Sequence, residues 1–425
     1  MGQHLFIFVL LLLIATINAN QFGQHGLYWG ASLTNIVTIS ESSVWQQVQN
    51  MTLTIPENRS VSALIIYHLN VQPDGEGLDS PLPTESLRDI IQSRILIDGI
   101  PYRSSSSSNG IYSYVAKHSI LPLTGTFIAP LSSGTHTITL QWKKSGNALQ
   151  SFIAGGNNLD SASSVVVHTD HVDLWYRNGV PDAIIANSTS KWVTIADGSP
   201  LSFTLAKETS VVIGYSINVI PQLASIIKDK RLEFISTRIS IDGVGYMEGL
   251  DSYSTSSWNP SPTTLRGLYS FKLAPGHHSI ELQWKKVGTV FRSWSSSPSY
   301  LDGYASSRNL FVILDKYNMA PHLVPSEHQR NILRTASSAV DKNKWQDVPS
   351  ATMSFELVKE SAVIITYSLP VSQFGYPNFD SYSWDKLSKI QTRVVVDGLA
   401  YMYSSEAELV APAALVSSNA QLSNE

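Results

Sequence analysis

Apolar and polar residues alternate one by one along much of the chain. In GTHTITLQWKK, residues 134 to 144, His136, Ile138, Leu140 and Trp142 fall on one face and Thr135, Thr137, Thr139 and Gln141 on the other. That two-residue period is the mark of a half-buried strand. The phrase returns as GHHSIELQWKK at 276 to 286, where His278, Ile280, Leu282 and Trp284 oppose His277, Ser279, Glu281 and Gln283. Alternation also runs through LSFTLAKETSVVIGYSI (201 to 217) and MSFELVKESAVIITYSL (353 to 369). In RILIDG, Ile95 and Ile97 oppose Arg94, Leu96 and Asp98. The Asp-Gly that ends it predicts a hairpin turn, because both turn residues need φ > 0. No long amphipathic helix competes, and only PTESLRDIIQS (83 to 93) suits one or two helical turns.

These landmarks recur in one order. Trp45, Trp192 and Trp345 each open a unit, and SRILIDGIPYR (93 to 103), STRISIDGVGYM (236 to 247) and QTRVVVDGLAYM (391 to 402) follow. A Ser-rich stretch and the LQWKK strand close the first two units. Short alternating strands with Ser/Gly/Pro-rich loops predict an all-β chain of tandem antiparallel β-sandwich modules, jelly-roll-like, at approximately 24–176, 177–317 and 318–425. The strand that begins at a Gly and runs through His and alternating aliphatics into Trp resembles the closing strands of jelly-roll modules, among them C1q/TNF-like domains and carbohydrate-binding modules. That resemblance implies the sandwich architecture and carries over no binding residue. Lys143, Lys144, Lys285 and Lys286 are expected to mark the strand's solvated exit.

The third unit is expected to be incomplete. After YMYSSE it continues as AELVAPAALVSSNAQLSNE, with no G-x-H-x-I-x-L-Q-W strand. Open strand edges there would pair with another chain; partial disorder, or a truncated or spliced product, is the alternative.

Residues 1–19, with an apolar run from Leu5 to Ile14 and Ala19 at the cleavage position, read as a secretory signal peptide. The run is too short to span about 30 Å of hydrocarbon, so the expected product is secreted, extracellular and without a membrane span. Cysteine is absent, so the modules must rest on apolar cores rather than disulfides. A net charge of −4 with 15% charged residues gives no field for nucleic acid. Asn50, Asn58 and Asn187 open N-x-S/T sequons and are expected glycan sites, whereas Asn259 precedes Pro.

Chemistry is sparse. His136 and His278 share the face of Ile, Leu and Trp, which favours a buried, hydrogen-bonded role over a metal site. His168, Asp170 and His171 form the one local cluster of metal-ligand types, but the second unit reads FVILDKYN there, so no metal is expected. Arg94 with Asp98, Arg238 with Asp242 and Arg393 with Asp397 stand four apart, about 13 Å along a strand. Asp is expected to shape the turn while Arg bonds a neighbouring strand. The mixed aromatic and hydroxyl stretches 246 to 258 and 291 to 304 offer Tyr253, Trp258, Trp294, Tyr300, Asp302 and Tyr304 as a ligand-binding set, with core or loop packing as the competing account.

No G-x-S-x-G elbow, H-E-x-x-H, phosphate loop or dinucleotide fingerprint is present. The expected function is therefore that of a secreted non-catalytic glycoprotein in an extracellular matrix, coat or adhesion assembly, without cofactor. Its expected partners are matrix proteins or glycans, with self-association through the third module. A lectin-like multivalent glycan binder and a secreted glycan-active hydrolase are the alternatives.

Overall fold

The structure is a computed structural model. It describes residues 28–33, 35–40, 43–74, 88–105, 111–112, 121–146, 150–155, 163–169, 174–178, 184–186, 191–195, 200–223, 232–254, 263–287, 291–296, 309–314, 347, 354, 363–372, 389–407 and 413–422. Its regular elements are all strands among these residues.

Among the described residues eleven strands build the first sandwich. They are β1 (Tyr28–Ser32), β2 (Val37–Ile39), β3 (Gln46–Glu57), β4 (Val61–Asp74), β5 (Arg88–Ile97), β6 (Ile100–Ser105), β7 (Ile111–Tyr112), β8 (Leu121–Leu131), β9 (Gly134–Ser145), β10 (Ser151–Ala154) and β11 (Ser164–His168). The larger sheet centres on β4. There β8 runs along one side, and β11 and β10 lie end to end along the other, flanked in turn by β1 and β2. The smaller sheet has the order β3-β9-β5-β6, with β7 added to β5. Taken together, the orders β1-β11-β4-β8 and β3-β9-β5-β6 are those of a jelly roll. Arg88–Ser93 therefore belong to β5 and are not helical. Pairing with β9 from Ile90 to Ile97 outweighs the weak local helical pattern.

The second sandwich repeats the plan with β12 (Leu174–Asn178), β13 (Ile184–Ala186), β14 (Val193–Ile195), β15 (Leu201–Leu205), β16 (Thr209–Leu223), β17 (Leu232–Ile241), β18 (Val244–Ser254), β19 (Thr263–Leu273), β20 (Gly276–Val287), β21 (Phe291–Ser296) and β22 (Asn309–Leu314). β12 straddles the 176/177 boundary read from the sequence and pairs with β22, so the junction between sandwiches precedes Leu174. From the third unit the described strands are β23 (Val363–Ser372), β24 (Lys389–Val396), β25 (Leu399–Ala407) and β26 (Ala413–Leu422). β23 pairs with β26 and β24 with β25, as β4 does with β8 and β5 with β6.

The period-two pattern sets the cores. On β4, Ala63, Ile65, Tyr67, Leu69 and Val71 face inward and meet Ile138, Leu140 and Trp142 of β9. Ile213, Tyr215 and Ile217 meet Ile280, Leu282 and Trp284 in the second sandwich. One buried bond crosses each core between sheets: Tyr67 Oη to Ser93 Oγ at 2.7 Å, and Tyr215 Oη to Thr237 Oγ1 at 2.7 Å. Burial holds the Tyr67 phenol protonated, against the smaller opposing pull of Ser93. The outward face of the larger sheet is also apolar. Leu64, Ile66 and Ile128 of the first sandwich cluster with Phe311, Ile313 and Tyr176 of the second, so the two modules share a seam.

Trp142 and Trp284 are each 1% exposed. Trp142→Ala or Trp284→Ala is expected to cost about 3–5 kcal/mol, read as a lower urea midpoint at unchanged slope. An unchanged midpoint would show that these rings do not carry the cores.

Candidate functional site

The site with the most complete geometry is the Asp-Gly turn and the histidine beside it. Asp98 and Gly99 have φ of 52° and 78°, Asp242 and Gly243 52° and 83°, and Asp397 and Gly398 50° and 82°. This is the doubly left-handed turn that matches strand twist. Asp98 Oδ1 accepts the Thr137 N–H at 2.7 Å, and Oδ2 lies 2.7 Å from His136 Nδ1. On the other side of the ring, His136 Nε2 lies 2.9 Å from the Ser132 carbonyl oxygen. The second sandwich repeats the arrangement: Asp242 Oδ2 to His278 Nδ1 at 2.8 Å, His278 Nε2 to the Ala274 carbonyl at 2.9 Å, and the Ser279 N–H to Asp242 Oδ1 at 2.8 Å.

Both ring nitrogens face acceptors, so both must donate and the ring is held as imidazolium. The Asp98 carboxylate and the Ser132 carbonyl raise the His136 pKa above its ordinary value, with a further contribution from the field of Glu57. For His278 the Ala274 carbonyl is the larger cause and Asp242 the second. Burial works against the charged form of Asp98 and of Asp242, but hydrogen bonds from the histidine and the backbone outweigh it and hold both carboxyls below their ordinary value. Neither histidine has a nitrogen left for a proton transfer or a metal. Among the described residues no three His, Cys, Asp or Glu side chains converge for a metal ion. His168 is buried in β11, while Asp170 and His171 lie outside the described residues.

Arg94 and Arg238 bond a neighbouring strand, while the Arg393 side chain is outside what the structure describes. Arg94 Nε donates to Gln141 Oε1, and Arg238 Nε to Gln283 Oε1, both at 2.8 Å. The Arg94 guanidinium also sits 4.2 Å from the Trp45 ring centre, with the Lys143 ammonium at 5.1 Å; Arg238 and Lys285 each lie 4.5 Å from Trp192. These are cation–π contacts, and they explain why a Trp opens each of the first two units. Three of the four lysines are not a solvated exit: Lys143, Lys144 and Lys286 are 6%, 2% and 3% exposed, whereas Lys285 is half-buried. Lys144 falls on the core face in step with Trp142 and donates from Nζ to the Gly146 carbonyl at 2.6 Å. Burial, then the neighbouring charge of Arg94, lowers the Lys143 pKa.

Of the aromatic set, Trp294 lies in β21, 0% exposed in the second core, and is not available to a ligand. β21 pairs there with both β13 and β16, which turns an apparent loop into a strand. Tyr253 pairs with Glu233 between β18 and β17. Trp258, Tyr300, Asp302 and Tyr304 lie outside the described residues. Asn50 is exposed at a bulge in β3 with φ of 63°, and Asn58 is exposed between β3 and β4. Asn187 lies outside the described residues.

A second feature was not legible in the sequence. A groove of about 830 Å³ opens at the end of the first sandwich, with Arg59, Asp98, Ser132 and Thr169 on its walls.

No family model matches the chain, and no curated protein matches it. Among solved structures, a peptide-N(4)-(N-acetyl-β-D-glucosaminyl)asparagine amidase is similar at 11% identity and TM-score 0.29, over 66% of this chain and 96% of that one. The glycosylasparaginase PNGase F from Flavobacterium meningosepticum is similar at 9% identity and TM-score 0.31, over 66% and 96%. The T=1 particle of infectious bursal virus is similar at 12% and 0.21, over 77% and 90%.

The sign of the pH effect follows from the two shifts. A raised histidine pKa gives stability that is fully present below about pH 6.5 and lost as pH rises through the folded value. A lowered carboxyl pKa gives stability present above about pH 4 and lost as pH falls through the folded value. Replacing His136 and His278 by Gln is expected to cost about 1–2 kcal/mol per turn near pH 6, less at pH 9, in urea titrations of both proteins. An equal cost at both pH values would refute the charged pair.

Proposed function

We infer that the chain is a secreted, non-catalytic glycoprotein of an extracellular matrix, coat or adhesion assembly. The observation that carries this reading is the use made of the repeated titratable pair. Asp98 with His136 and Asp242 with His278 spend both ring nitrogens and both carboxylate oxygens on holding a turn. What the two complete units share is thus framework, which suits a molecule whose repetition supplies surfaces rather than reactions. Matrix proteins or glycans are its partners. Asn50 and Asn58, exposed in and beside β3, are the positions for attached glycans.

A lectin-like multivalent glycan binder is the second reading; the groove beside Arg59 and Asp98 supports its binding, and multivalency would have to come from several copies of the chain. A secreted glycan-active hydrolase is the third. It needs two carboxylates about 5 to 9.5 Å apart across a scissile bond, and Asp98 and Asp242 are each tied to a histidine.

The test is to incubate the secreted protein with N-glycoproteins and polysaccharides and follow products by mass spectrometry, with light scattering on the same samples. Concentration-dependent association without turnover is expected. Turnover abolished by a single carboxylate substitution would overturn the non-catalytic reading.

A further inference from the structure

The two sandwiches differ at one equivalent end, and the difference concerns binding. The registers Val61↔Leu131 and Ser62↔Pro130 in the first match Thr209↔Leu273 and Ser210↔Lys272 in the second. Ser60 therefore corresponds to Glu208, and Pro130 to Lys272. In the second sandwich Glu208 and Lys272 join at 2.6 Å across the ends of β16 and β19. The first sandwich has a hydroxyl and a proline in their place, and both line the open groove.

The groove encloses about 830 Å³ and is widely open to solvent, shallow rather than a closed cavity. The walls combine kinds of group that a sugar uses together. Arg59 supplies donors, and Asp98, 44% exposed at its side chain, supplies an acceptor through the lone pairs left beyond its bonds to His136 and Thr137. Ser60, Ser62 and Ser132 offer hydroxyls that donate or accept. Val61, Ile97 and Pro130 give an apolar surface for ring C–H groups. Among the charged lining residues Asp98 offsets the His136 imidazolium that it bonds, which leaves the single charge of Arg59. A neutral polyol can use both the donors and the acceptors of such walls.

We propose that this groove is a neutral-saccharide site belonging to the first sandwich alone. It goes beyond the assembly role and does not depend on it, since sugar binding and self-association are read by separate measurements. The second sandwich supplies the blocking variant, because its ion pair is already accommodated on the same framework.

Isothermal titration of the whole secreted chain with lactose, cellobiose and N,N′-diacetylchitobiose, beside glucuronic acid, tests the site. Saturable binding of at least one neutral disaccharide is expected. The Ser60→Glu/Pro130→Lys double variant should lose it at an unchanged thermal midpoint. Arg59→Ala should bind about tenfold more weakly, the effect of one lost charged hydrogen bond. If the double variant's thermal midpoint falls, Arg59→Ala, a change at an exposed side chain, decides alone. Binding of none of the neutral probes, binding of glucuronic acid only, or full binding by Arg59→Ala overturns the proposal. So does binding retained by a stable double variant.

Discussion

The Asp-Gly turn between the third and fourth strands of each jelly roll's smaller sheet is the point on which the rest is registered. A left-handed Asp gains from a partner for its carboxylate, and the closing strand supplies one. Thr137 or Ser279 gives a backbone N–H, and the preceding His136 or His278 gives a ring N–H. The same two strands return the bond from the Asp N–H to the Thr137 or Ser279 carbonyl, 2.8 Å in both modules. One slip of the closing strand would break all three contacts and move Ile138, Leu140 and Trp142 to the wrong face. The histidine's second bond, to the carbonyl four residues earlier, ties the incoming hairpin to that turn as well.

With register fixed, the outward faces decide how the modules meet. Leu64, Ile66 and Ile128 against Phe311, Ile313 and Tyr176 make an apolar seam. The seam is not wholly oil. Ser216 and Asn309 are paired on the outward face of the second module's larger sheet, buried at 1% and 3%, with side chains lacking a hydrogen-bond partner among the described residues. Buried polar groups of that kind are costly. They set a limit on how strongly this face is held.

The alternating strands, the Asp-Gly turns and the buried role of the histidines were all legible in the sequence, because period two and turn chemistry are local signals. Lys144 was misread even though the period places it beside Trp142 on the core face. Its charge argued for solvent, and only the fold shows the Gly146 carbonyl within reach of its ammonium. Trp294 was misread because FRSWSS has no clean alternation, and its burial comes from pairing with strands about 70 and 110 residues earlier. The groove has no local signal at all. It depends on which residues the hairpin register sets opposite one another, and on what the sister module places there.

The central claim is that each histidine is held as a cation by two acceptors. Nitrogen-15 NMR of the imidazoles at pH 6.5, where a free ring is about half neutral, tests it directly. His136 and His278 should show both ring nitrogens protonated. A half-neutral or neutral ring at that pH would contradict the account and return both histidines to the list of candidates for chemistry.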